Sequence, residues 1–156
     1  MGLRKILTVD EAALHKTCKP VTEFDAKLHK LLDDMRDTLL DSGGVGLAAP
    51  QVGIVRRVVL VDTGDEILEL VNPTLVETFG EQIGAEGCLS VPNKYGLVKR
   101  PYYAKVRAQD RFGNWYEAEG EELTARCFCH ELDHLDGIIY TELMERYLTE
   151  EELLQD

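Results

Sequence analysis

Cys129-His130-Glu131-Leu132-Asp133-His134 sets two imidazoles one helical turn apart, with a carboxylate beside the first: an HExxH pattern. Side chains four residues apart on a helix share a face at about 6 Å of rise, so both can reach one metal ion. Glu131 points off that stripe and can act on a metal-bound water instead of ligating. The plainer alternative is a surface helix whose histidines bind nothing, because HExxH also arises by chance. The rest of the chain decides between them.

Around the motif, residues 122–136 are expected to form one helix, with Gly137 as its stop. Phe128, Leu132 and Leu135 give this helix an apolar side, so His130 and His134 would sit on a buried helix against a sheet. Strand signals supply the sheet. Val58-Val59-Leu60-Val61-Asp62 and Ile67-Leu68-Glu69-Leu70-Val71-Asn72-Pro73 read as paired strands, separated by Thr63-Gly64-Asp65. A third candidate strand includes Gln82-Ile83-Gly84 and ends near Glu86-Gly87-Cys88-Leu89-Ser90-Val91-Pro92, and residues 103–118 suggest a hairpin.

A second helix is expected over residues 20–43. It opens on Pro20 and a Thr22-Glu23-Phe24-Asp25 capping-box pattern, carries Leu28, Leu31, Leu32, Met35 and Leu39 at helical spacing, and stops at Ser42-Gly43-Gly44. Its His29, like His15, has no ligand-like neighbours and reads as structural. The expectation is an α+β fold: one compact domain over residues 1–156, with antiparallel or mixed sheets around a central helix carrying HExxH.

Composition narrows the function. A formal charge of −12 argues against broad nucleic-acid binding. No apolar run approaches a membrane span, and Met1-Gly2-Leu3-Arg4-Lys5 lacks the pattern of a signal peptide, so a cytoplasmic protein without membrane contact is expected. The four cysteines, Cys18, Cys88, Cys127 and Cys129, follow no disulfide framework and read as free thiols. The Gly/Ala-rich stretch from Gly43 to Gly53 lets another backbone approach closely. It lacks the Lys-Ser or Lys-Thr pair of a phosphate loop. Gln51 is its one polar side chain after Leu47, either a satisfied amide or an aimed donor.

Two histidines do not complete a catalytic metal site, which usually takes three protein ligands. Cys127 shares the histidine stripe but lies roughly 10 Å along the axis from His134. Cys129 is turned about 100° from His130. Cys88 sits between Gly87 and Leu89 at a strand end and could equally be a small buried thiol. The residues alone leave the third ligand open.

Three stretches, Gly44-Val45-Gly46-Leu47-Ala48-Ala49-Pro50-Gln51, Glu86-Gly87-Cys88-Leu89-Ser90 and His130-Glu131-Leu132-Asp133-His134, resemble in order and spacing the motifs of the peptide deformylases. The likeness runs through nearly the whole chain, including Ile6-Leu7 and Cys18-Lys19-Pro20-Val21. It implies a metallohydrolase that removes the N-formyl group from the formyl-methionine of new polypeptides and releases formate. By the same resemblance Cys88, His130 and His134 hold one divalent metal, Fe(II) in the cell, replaceable by Zn, Ni or Co. Glu131 is then the general base and acid toward the metal-bound water, and Gln51 with the Leu89 N–H meets the oxyanion. Val45, Gly46 and Gly87 would pair with the substrate backbone, and Leu47 with other apolar side chains near the motifs would shape the methionine pocket.

Departures from the family pattern are Cys129, where Gln is common, and Ala85, where a second acid is frequent. A zincin-type peptidase would share HExxH but leaves the Gly-rich loop and Cys88 unexplained. A binding protein that had lost activity should have lost a ligand or Glu131, and all are present. After Arg126 the only Lys or Arg is Arg146, and the end reads Thr149-Glu150-Glu151-Glu152-Leu153-Leu154-Gln155-Asp156. Such an end should not bind RNA directly. The tail is expected to pack through Leu148, Leu153 and Leu154 or stay solvated, leaving any ribosome proximity transient.

Overall fold

The computed structural model describes residues 2–154. Met1, Gln155 and Asp156, on which the readings of the start and the acidic end partly fall, lie outside the described residues. The fold is α+β. Helix α1 spans Ala26–Ser42 and helix α2 spans Leu123–Leu135. Between them run β1 (Gly46–Ala48), β2 (Val58–Asp62), β3 (Ile67–Phe79), β4 (Gln82–Cys88), β5 (Val91–Arg100), β6 (Tyr103–Gln109) and β7 (Trp115–Glu121). A short α3 covers Glu150–Leu153.

One sheet has the order β1-β2-β3-β6-β7 and a second is the β4-β5 hairpin. Every strand pair is antiparallel; among the described residues the parallel component reduces to a lone bridge between Lys19 and Arg56.

The helices take opposite faces of the five-stranded sheet, and β2 shows why. Its four residues Val58 to Val61 are all fully buried. Strand side chains alternate in direction. Val58 and Leu60 therefore join Leu28, Leu32, Met35 and Leu39 of α1, while Val59 and Val61 join Phe128 and Leu135 of α2. Phe128 is the largest apolar side chain on the α2 side, and truncating it to Ala would cost about 3–5 kcal/mol.

Two boundaries differ from expectation. Helix α1 starts at Ala26, because Asp25 is its cap: the carboxylate accepts from the Leu28 N–H at 3.1 Å, satisfying a donor the first turn leaves orphaned. At the other end Gly43 takes a left-handed φ of 72° and donates to Leu39 O, as expected of a stop. Strand β3 does not end at Pro73 but continues to Phe79. The missing proline N–H falls at a register shift between Val71 and Thr74, and Asn72, at φ 52°, ties the bulge to Val21 through both amide atoms.

Strand β5 was not anticipated. Its inward positions include Gly96, Val98 and Arg100, and a charged residue facing inward breaks the apolar alternation by which strands are read. Helix α2, by contrast, falls within the expected span, and Gly137 follows it at φ 78°.

Candidate active site

Helix α2 crosses the sheet with its histidines turned toward the β4-β5 hairpin, and the turn of that hairpin brings up Cys88. One potential ligand atom from each of Cys88, His130 and His134 lies within 4.8 Å of the others. Cys88 Sγ is 3.4 Å from His134 Nε2, and the two imidazole rings meet edge to face with centroids 4.9 Å apart. Metal–ligand bonds of about 2.0–2.3 Å place tetrahedral ligands roughly 3.5 Å apart, so a thiolate and two imidazoles at this separation fit one divalent ion. Cys127 and Cys129 fall outside the cluster. The Cys127 thiol is directed at Val45 O at 3.5 Å, and Cys129 is buried in the core with Phe128 and Leu135.

His130 is aimed by Glu86, a residue the sequence reading passed over. The Glu86 carboxylate accepts from His130 Nδ1 at 2.6 Å, from Arg100 Nη2 at 2.6 Å and Nε at 3.1 Å, and from Arg126 Nη1 at 2.8 Å. A carboxylate only accepts, so the proton sits on Nδ1 and Nε2 faces the cluster. Burial alone would raise the Glu86 pKa, but the hydrogen bonds and charges of His130 and Arg100 outweigh it and hold it at about 2. Burial likewise opposes a charge on His130, yet its bonds to Cys88 and Glu86 push it up to about 10 in the metal-free chain. Burial, followed by the charge of His130, drives His134 well below the ordinary histidine value.

Glu131 is 3% exposed, and its Oε1 has no hydrogen-bond partner among the described residues. Burial pushes its pKa up to about 7, partly offset by the charge of His130. An unpaired buried carboxylate is costly to keep, and clefts that hold one are often functional sites. Gly46 of β1 makes room for it: a Cβ there would lie 2.5 Å from Glu131 Oε2 and 2.7 Å from Cys127 Sγ.

Gln51 is both satisfied and aimed. Its Oε1 accepts from the Ala48 N–H at 2.9 Å, fixing the amide so that Nε2 reaches Ser90 Oγ at 3.1 Å and Cys88 Sγ at 3.6 Å. Leu89 is the first residue of the two-residue turn joining Cys88 to Val91. Val45, Gly46, Gln51, Gly87, Cys88, Leu89, His130 and Glu131 all line one cavity of about 500 Å³. Leu47 does not: it is fully buried beneath α1, so the apolar cavity wall comes instead from Val45, Leu89, Val91, Tyr95 and Leu123.

Of the residues the sequence reading missed, Arg100 lies on the unanticipated strand, whereas Glu86 sat within a quoted motif and offered no signal beyond its charge.

The other histidines serve structure. His29 Nε2 is 2.8 Å from Arg111 O and His15 Nε2 is 2.6 Å from Val9 O. Among the described residues no helix is long and apolar enough to cross a membrane.

An HExxH helix laid on an antiparallel sheet, with its unpaired glutamate opening into a peptide-sized cleft, places the protein among the hydrolases built on this motif. Residues 3–149 match the family model of polypeptide deformylase. A peptide deformylase of Caldicellulosiruptor bescii is 50% identical over 99% of this chain and 93% of that protein, and peptide deformylase 1 of Bacillus subtilis is 49% identical over 98% and 97%. The crystal structure of the Thermotoga maritima peptide deformylase superposes with a TM-score of 0.89 at 37% identity, covering 92% of this chain and 98% of that one. The chain belongs to the polypeptide deformylase family and is an enzyme; the zincin reading is set aside.

Proposed function

We propose that this protein hydrolyses the formamide of N-formyl-methionyl peptides, with Cys88, His130 and His134 holding one divalent metal. The observation that carries the reading is the cluster of half-buried Cys88 with buried His130 and His134, and Glu131 beside it, its Oε1 without a hydrogen-bond partner among the described residues, in the cavity. The bound metal would supply a water of lowered pKa and Lewis-acid polarisation of the formyl oxygen.

The chain's own residues divide the remaining work. Glu131, with a pKa near 7, is matched to taking a proton from water and returning it to the leaving amine. Water oxygen joins the formyl carbon, the C–N bond breaks, and formate and a free amine leave. The Gln51 Nε2 and the Leu89 N–H are the donors for the oxygen on which negative charge develops, and losing one such donor typically costs about 3 kcal/mol in the barrier. Val45, Gly46 and Gly87 offer backbone from both walls to a peptide lying as an added strand, which tolerates varied sequence.

Fe(II) is the metal proposed in the cell, with Zn, Ni or Co as replacements. Intrinsic affinity favours nickel and zinc over iron, so availability decides, and the preference for iron follows from the family resemblance. The reaction is placed in the cytoplasm, where formylated chains emerge, with ribosome contact transient and not through a basic tail. Formate release from formyl-Met-Ala-Ser, compared with the unformylated peptide and combined with metal analysis of anaerobically purified protein, tests this. Release of about one formate per formylated peptide, dependent on bound metal, is expected. A metal-loaded protein that releases none overturns the reading.

A further inference from the structure

Strands β4 and β5 fall out of step beside the cavity. Cys88 pairs with Val91, yet Glu86 pairs with Gly96, so residues 92–95 bulge out opposite the single residue Gly87. Asn93, at φ 65°, turns the bulge. The bulge is pinned from three sides. The Tyr95 ring lies so close over Gly87 that a Cβ there would come within 2.5 Å of it. The Tyr140 hydroxyl donates to Lys94 O at 3.2 Å. The Lys94 ammonium lies 5.0 Å from the centre of the Tyr147 ring, an attraction of ammonium to the ring face that restrains an otherwise flexible side chain.

Besides His130, four residues with charged side chains line the cavity: Glu86, Lys94, Arg126 and Glu131. Three are buried; Lys94 alone is exposed. Among the described residues no carboxylate lies within 4 Å of it. In a chain of formal charge −12 Lys94 is thus an exposed cation at the lip of the active site, with Asp10 lining the adjoining hollow but not paired to it. Charges beyond a Debye length of about 10 Å are screened at ordinary salt, so a side chain that comes against the Lys94 ammonium feels it more than the chain's net charge.

We propose that Lys94 is a specificity-determining residue, selecting formyl-methionyl peptides that carry an acidic side chain at the second or third position over those carrying a basic one. The proposal rests on the deformylase reading above. The placement follows from the bulge, which stands over Gly87, the residue preceding Cys88. A strand advances about 3.3 Å per residue, so an extended peptide with its formyl group at Cys88 brings its next side chains past the Lys94–Tyr95 lip.

The test compares kcat/KM for formyl-Met-Ala-Glu-amide and formyl-Met-Ala-Lys-amide, and for formyl-Met-Glu-Ser-amide and formyl-Met-Lys-Ser-amide, using metal-loaded enzyme. The amides remove the terminal carboxylate that would mask the effect. Wild type should favour the acidic member of at least one pair by about two- to fivefold, the range of an exposed ion pair, and mainly through KM. Lys94→Ala should erase the ratio, Lys94→Glu should invert it, and about 0.5 M salt should flatten it in wild type. Equal turnover of both pairs, or a ratio that neither variant moves, overturns the role of Lys94 while leaving the deformylase reading intact. No formate from any peptide, the neutral formyl-Met-Ala-Ser included, would instead remove the reading on which the proposal stands.

Discussion

His130 Nδ1 and Glu86 Oε1 are 2.6 Å apart, and the same carboxylate holds the buried guanidiniums of Arg100 and Arg126. One side chain from a hairpin thus aims an imidazole on a helix and pairs with two buried cations, one of which, Arg100, also binds Asp133 at 2.7 Å. Glu86→Ala should therefore be among the most damaging single changes. Removing one partner of a buried charge network typically costs about 3–5 kcal/mol. Removing the partner of a ligating histidine typically costs about 10–100-fold in metal affinity. Denaturant titration and metal competition measure the two; a variant that keeps both would show that the network is dispensable.

Glu131→Ala should retain near-normal metal and fold while turnover falls by about 10²–10⁴, the usual contribution of a positioned acid–base group. Because Oε1 is buried without a partner, stability should hold or rise. Metal analysis beside single-turnover kinetics checks this, and joint loss of metal and activity would make Glu131 a ligand.

Gly46→Ala places a methyl 2.5 Å from Glu131 Oε2 and 2.7 Å from Cys127 Sγ, both on the same rigid helix. The expected result is a cost of about 1–3 kcal/mol in stability from overpacking, with a larger proportional loss of turnover as Glu131 is displaced. Unchanged kinetics would mean that the carboxylate has room to move without consequence.

Cysteine exchange separates the proposed ligand from the core residue. Cys88→Ser should lose the metal, whereas Cys129→Ser should keep it, since the Cys129 thiol packs in the core away from the histidine cluster. Cys129→Gln should change activity by no more than a few fold and stability by about 2 kcal/mol at most. Metal-to-protein ratios after dialysis read the difference directly.

Deleting residues 149–156 should leave both formate release from a short formyl-Met peptide and ribosome co-sedimentation unchanged. The tail is anchored before that point: Leu148 N donates to Tyr95 O, and Leu97 exchanges hydrogen bonds with Glu145 and Arg146. Beyond it, Leu154 is 86% exposed and Leu153 41%, so of the two expected arrangements these residues take the solvated one, and the pair of Arg146 with Glu152 is at the surface. Exposed pairs of this kind are worth about 1 kcal/mol or less. A salt-sensitive ribosome association that vanishes with the tail would contradict this.

Much of the architecture was legible because it is written in local periodicity. Leu28, Leu32, Met35 and Leu39 recur at the helical period, Val58 to Leu60 and Val59 to Val61 at the strand period, and Gly43 and Gly137 stand where only a left-handed residue ends a helix. HExxH was legible for the same reason, since its two imidazoles are related by one helical turn. What local pattern misread was strand β5, where Arg100 points inward, and strand β3, where a bulge at Asn72 carries the chain past a proline.

The sequence by itself determined the α+β class, the two helices and the histidine stripe, because each depends on residues within a few positions of one another. Tertiary structure decided the rest of the site. Cys88 lies 46 residues from His134 and Glu86 44 residues from His130. No periodicity relates positions so far apart, and only the packing of α2 against the β4-β5 hairpin brings the thiol to the imidazoles. That packing also gathers Cys88 with the two histidines and leaves Cys127 and Cys129 out of the cluster, the first against Val45 at the cavity wall and the second in the core.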